Sequence, residues 1–126
     1  MEILASRVLL RPRDPERTRA FYRDALGLAV FREFPGGTVF FTGGGYLEVS
    51  GAAQDGPAAG SVALWLQVRD LAAAHTDLAA RGVEIARAPQ REPWGLDEMW
   101  IADPDGVRIV LVQIPPEHPM RRDVRA

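Results

Sequence analysis

Few residue types in this chain can do chemistry, and their spacing narrows the choice further. There is no cysteine and no lysine, and the only histidines are His75 and His118. Thiol nucleophiles, disulfides, Cys-ligated zinc and lysine Schiff-base chemistry are therefore excluded. The acid–base candidate is Glu48, in "YLEVS" (46–50), where strand alternation puts Tyr46 and Ser50 on its side. The remaining chemical capital is aromatic. Trp65, Trp94 and Trp100 all fall in the second half, with Phe40, Phe41 and Tyr46 in the first. Such rings serve as ligand platforms or as core, and both readings stay open. No nucleophile triad or dinucleotide fingerprint is present. The glycines of "TGGGY" (42–46) lie between strands and read as a hairpin turn, not as a phosphate cradle.

The elements that must position these residues belong to one domain, since 126 residues suffice for one core but not comfortably for two. Hydrophobic residues make up 47% and charged residues 25%, which fits a globular protein and not a disordered one. A net charge of -2 gives no field that argues for nucleic acid or an anionic membrane. "MEILASRVLL" lacks the basic head and apolar run of a signal peptide, and no segment reaches the ~20 apolar residues of a membrane span. A cytoplasmic protein is the expectation.

Along the chain, "SRVLLRP" (6–12) predicts a strand and 13–28 a helix, with Asp14 as N-cap and Pro15 in the first turn. Strands follow at 29–34, 38–42 and 46–50. "GAAQDGPAAG" (51–60) reads as a linker. The order then repeats: a strand at 61–68, a helix at 69–82 capped by Asp70, a strand at 83–87, and a loop at 88–95. Strands at 97–102 and 107–114 flank the turn "DPDG". Two βαβββ units, about 4–50 and 61–114, are therefore expected, with 115–126 as a loose tail. A repeated unit that cannot bury its own face implies that two units pack together.

This duplicated order, "RDPERTRAFYRDALGL" and "PWGLDEMWIADPDGVRIVLVQ" resemble the vicinal oxygen chelate superfamily. That group includes glyoxalase I, extradiol dioxygenases, and fosfomycin- and bleomycin-resistance proteins, and its members closest in look are the bleomycin-resistance type. The resemblance spans about residues 4–114. It implies an α+β fold whose two units form a curved, mixed-sheet cup with the helices outside. Metal-using relatives usually place a His on the first strand of each unit and a Glu on the last. Carried over, these positions fall on Arg7, Glu48, Ala63 and Val110. One of the four can bind a divalent ion, whereas a catalytic site needs about three protein ligands. No metal, no cofactor and no catalytic residue is assigned on this reading.

With that cup, strand alternation gathers Arg7, Leu9 and Arg11; Tyr46, Glu48 and Ser50; Ala63, Trp65 and Gln67; and Arg108, Val110 and Val112 on the concave side. Val8, Leu10, Leu47, Val49, Val62, Leu64, Leu66, Ile109 and Leu111 are expected as core. Arg7 and Glu48 are expected to pair where relatives hold a metal, or else to be two solvated charges at a dimer rim. The expected ligand-binding residues are Arg7, Phe40, Tyr46, Glu48, Trp65, Trp94, Trp100 and Arg108. The resemblance implies a homodimer that sequesters a small, partly aromatic, antibiotic-like molecule without a metal. The arginine that many bleomycin-binding relatives carry shortly after "WG" is missing; Asp97 and Glu98 stand there. Two alternatives remain. One is a glyoxalase-type lyase, isomerase or dioxygenase, with an unrecognised metal site or Glu48-based chemistry. The other is a structural relative with no ligand.

Overall fold

The computed structural model describes residues 1–54, 60 and 62–121. Part of the expected linker (55–59), the first residue of the expected second unit (61) and the end of the tail (122–126) lie outside them. The chain divides into two compact units, Met1–Val62 with Asp103–Val107, and Ala63–Ala102 with Arg108–Ala126.

In the first unit, β1 (Val8–Leu10) is followed by α1 (Pro15–Ala20), β2 (Val30–Phe34), β3 (Gly37–Phe41) and β4 (Tyr46–Ser50). The sheet order is β1-β4-β3-β2, with β1 parallel to β4 and the other pairs antiparallel. Asp14 starts α1 because its side chain accepts a hydrogen bond from the Arg17 amide at 3.2 Å. Pro15 costs nothing there, since the first helical amides have no intrahelical acceptor. The α-helix is shorter than the sequence suggests. Residues Phe21–Ala25 open into a wider π turn, in which the Leu26 amide donates to the Phe21 carbonyl five residues back. That turn sets Tyr22 fully inside the unit, with its ring 6.2 Å from that of Phe40. Leu10, Leu47 and Val49 complete this packed face.

The turn Asp103–Val107 belongs to this same unit and is tied to Tyr22. The Tyr22 hydroxyl donates to Asp103 Oδ2 at 2.8 Å, while the amides of Asp105 and Val107 donate to Oδ1. Burial raises the Asp103 carboxyl above the usual carboxylate range, and these three donors offset part of that. Burial, followed by the Asp103 charge, raises the Tyr22 hydroxyl as well. Thr18 donates to Asp105 at 3.3 Å and ties α1 itself to the turn.

In the second unit the order is β5 (Ala63–Gln67), α2 (Leu71–Ala80), β6 (Arg87–Arg91), β7 (Asp97–Ala102) and β8 (Arg108–Gln113). The sheet runs β5-β8-β7-β6, again with its first and last strands parallel. Asp70 caps α2 through the Ala73 amide at 3.0 Å, and Gln113 Oε1 accepts from the Leu71 amide at 2.8 Å. Leu71 and Leu78 face the sheet, whose buried side carries Leu64, Met99, Ile101, Ile109 and Leu111. Both units are thus βαβββ, as the repeat in the sequence implied.

The structure corrects three further expectations about elements and core. The third-from-last strand is Arg87–Arg91, not 83–87, and it contains Pro89. Pro89 is accommodated because β6 is an edge strand and its register shifts between Arg87 and Gln90, so no ladder bond needs the missing amide. Val8 and Val62 are exposed and not core, since Val8 opens the edge strand β1 and Val62 stands just before the edge strand β5. Val112, expected on the concave side, is fully buried with Leu96 and Ile114 in a small separate cluster. Beyond β8 the described part of the tail is folded. Pro115 is buried, and Pro119–Arg121 form one 3-10 turn.

Candidate functional site

Each sheet has one face packed under its helix and an opposite one, which carries Tyr46 and Glu48 in the first unit and Trp65, Trp100 and Arg108 in the second. On the first sheet, Arg7 just precedes β1, and Leu9 pairs with Glu48 across the parallel ladder. Arg7 and Leu9 share a side of the strand, so Arg7 reaches Glu48. Its Nη1 lies 2.8 Å from Glu48 Oε1, and Ser50 Oγ donates to Oε2 at 2.7 Å. The hydrogen bond from Ser50, and then that from Arg7, hold the Glu48 carboxyl below its ordinary range. The pairing expected from the sequence forms.

Beside this pair the sheet carries three rings in mutual contact. Phe31, Phe41 and Tyr46 have centroids 4.8 to 5.7 Å apart. Phe31 is 47% and Phe41 40% exposed. Phe40, expected to face the ligand, lies instead on the packed face, 0% exposed and against Tyr22. The reason is register: Phe41 pairs with Tyr46 and Phe40 with Leu47, so Phe41 is the phenylalanine that shares the side of Glu48. Phe31 was missed because the irregularity between Val30 and Arg32 breaks simple alternation in β2.

On the second sheet two cross-strand rows matter. One reads Trp65–Val110–Trp100–Arg87 across all four strands, and the next reads Ala63–Arg108–Ala102. The Trp100 ring carries two guanidinium groups, Arg87 at 3.8 Å and Arg108 at 4.4 Å from its centroid. Arg87 is neutralised by Glu92, and also donates to the Glu98 carbonyl at 3.2 Å. Arg108 is exposed and has no ion-pair partner among the described residues. Trp100 Nε1 and Arg87 Nε are buried without a hydrogen-bond acceptor. Trp65 stands 47% exposed at the other end of its row.

Trp94 is 56% exposed in the loop before β7, and its Nε1 donates to the buried Glu98 carboxylate at 2.8 Å. The folded tail holds this loop in place. His118 Nδ1 accepts from the Met120 amide, so Nε2 carries the proton and donates to the Trp94 carbonyl at 3.0 Å. The partners Arg87, Glu92, Glu98 and His118 were not singled out as site residues from the sequence. Arg87 and Glu92 were hidden by the misplaced β6.

The donor set does not fit a divalent metal. Of the four positions that the resemblance assigns to metal ligands, Ala63 and Val110 offer no donor atom, Arg7 is a cation, and Glu48 is engaged by Arg7 and Ser50. Among the described residues no group of three His, Asp or Glu side chains could hold an ion.

The family model of the Glyoxalase/Bleomycin resistance protein/Dioxygenase superfamily matches residues 5–111. Among solved structures, a glyoxalase/bleomycin resistance protein/dioxygenase from Nocardioides is 20% identical, with a TM-score of 0.76 over 94% of this chain and 89% of that one. A protein of unknown function from Agrobacterium tumefaciens is 25% identical, with a TM-score of 0.71 over 91% and 95%. A superfamily member from Sphaerobacter thermophilus is 23% identical, with a TM-score of 0.72 over 90% and 98%. No curated protein matches the chain.

Proposed function

We propose that this chain, which belongs to the Glyoxalase/Bleomycin resistance protein/Dioxygenase superfamily, is a metal-free binding protein for a small, partly aromatic molecule, and that it acts as a homodimer. The observation that carries this reading is the Arg7–Glu48 ion pair. It occupies positions where relatives hold metal ligands, and a guanidinium there repels a divalent ion. What the sheets offer in place of metal ligands is ring surface: Phe31, Phe41 and Tyr46 on the first, Trp65 and Trp100 on the second. Aromatic walls with a few fixed polar groups are the usual make-up of a small-molecule site.

The enzymatic alternative fares worse on the same pair. A general base works best with a pKa near the operating pH. Ser50 and Arg7 move Glu48 the other way, towards a weaker base. The test has two parts. After incubation with Ni, Co, Zn, Mn and Fe, elemental analysis of the dialysed protein is expected to find far less than one ion per chain. A titration series of aromatic antibiotics is expected to quench tryptophan emission with saturation. One tightly held ion per chain overturns the metal-free reading, and no saturable quenching by any aromatic probe argues for a relative without a ligand.

A further inference from the structure

We infer that the second unit's site selects planar acids: the ligand pairs an aromatic or conjugated ring with a carboxylate or similar anionic group, which Arg108 receives. This rests on the small-molecule reading above and names the class of molecule.

The argument begins with what surrounds Arg108. Its neighbours across the sheet are Ala63 on β5 and Ala102 on β7, both exposed. Two methyl side chains leave the guanidinium reachable from either side. The guanidinium rests 4.4 Å from the centre of the Trp100 ring, a contact that limits the rotamer freedom lost on binding. The next row supplies the apolar wall. Trp65 and Trp100 flank Val110 on neighbouring strands, and strands about 4.8 Å apart put the two tryptophan backbones roughly 10 Å from each other. A flat ring laid on Val110 against Trp65 places a substituent within reach of Arg108, one row away.

Hydrogen-bond accounting gives the sign of the charge. Arg87 has its counter-ion in Glu92, and Glu98 accepts from Trp94. Glu98 pairs with Val112, four residues along β8 from Arg108, or about 13 Å at strand rise. It is too far to neutralise Arg108. The cluster around Trp100 therefore has donors in surplus: the Arg108 guanidinium, Trp100 Nε1 and Arg87 Nε have no acceptor among the described residues. Buried donors are seldom left unpaired. A ligand that brings acceptor oxygens and negative charge complements this surplus, whereas a cation meets the unneutralised Arg108 guanidinium.

The test compares three probes with one ring system, 2-naphthoate, 2-naphthamide and 2-naphthylmethylammonium, by calorimetry on the full chain at low ionic strength. Naphthoate is expected to bind about ten-fold or more tighter than the amide, as for a charge-assisted hydrogen bond, and the ammonium weakest. In Arg108→Gln the preference for naphthoate over the amide is expected to disappear, with an unchanged circular dichroism spectrum to show that the variant is folded. Equal binding of all three probes, or a naphthoate preference that survives Arg108→Gln, overturns the anion assignment and leaves the aromatic-binding reading standing. Failure of every probe to bind overturns both.

Discussion

The ion pair between Arg7 and Glu48 has a pH signature of its own. The Glu48 carboxyl is depressed by its Ser50 and Arg7 hydrogen bonds from an ordinary value of 4.5. A carboxylate with a lowered folded-state pKa stabilises the fold above its unfolded value, and that contribution disappears as the pH falls through the folded one. Glu48→Gln is therefore expected to lower the urea midpoint at pH 7, and the gap to wild type is expected to close as the pH drops below 4.5. The size at pH 7 is below about 1 kcal/mol, because water reaches the pair and screens it. A gap of the same size at pH 7 and pH 3 counts against the ion pair as its source. This pair was legible in the sequence because parity along a short strand is simple: Arg7 and Leu9 share a side, and so do Tyr46, Glu48 and Ser50. Phe40 and Phe41 were not separable in that way. They are adjacent, so one residue more or less in the glycine turn decides which of them turns inward, and only the register Phe41 to Tyr46 settles it.

Among the elements, those whose ends are marked by local chemistry could be read from sequence. Asp14 and Asp70 cap their helices where expected, because the capping bond joins residues three apart and needs nothing distant. The π turn at Phe21–Ala25 and strand β6 had no such local mark. The first is set by the burial of Tyr22 against Phe40 and Asp103, and the second by pairing with β7 through an irregular register that tolerates Pro89. Tertiary contacts chose both. The loop holding Trp94 combines the two kinds of control. Gly95 has φ +89°, a conformation costly for other residues, and a Cβ added there would stand 3.1 Å from His118 Cδ2. Gly95→Ala is expected to destabilise by about 1–2 kcal/mol from backbone strain alone, with a further loss from the clash with the tail. In a His118→Ala background the added loss is expected to vanish, leaving the backbone cost. Urea denaturation of the four proteins gives the coupling directly, and strictly additive single effects mean that the tail does not press on the loop.

For the molecule as a whole, the duplicated βαβββ order sets the class of architecture, whereas assembly depends on surfaces that no local pattern reports. Within its own unit each sheet ends on a parallel edge strand, β1 in one and β5 in the other. Both edges carry exposed apolar side chains: Val8 and Leu9 on β1, Trp65 on β5, and Val62 just before β5. Proteins usually protect such an edge with charge, proline, a bulge or a covering element, because an apolar strand edge invites association. In a single chain these side chains stand in water, and the proposed homodimer would cover them. Light scattering on the purified protein is expected to give twice the chain mass of 13.8 kDa. Placing a carboxylate on each edge, Val8→Asp with Val62→Asp, is expected to shift the mass to one chain while leaving the circular dichroism spectrum unchanged, since both side chains are exposed and neither belongs to a core. The same variant also separates two roles of the aromatic surface. Aromatic probe binding that survives in the monomer belongs to one chain alone, whereas loss of binding together with loss of the dimer means that a second copy completes the site. A wild-type mass of one chain at tens of micromolar protein overturns the homodimer and leaves the exposed edges to another kind of partner.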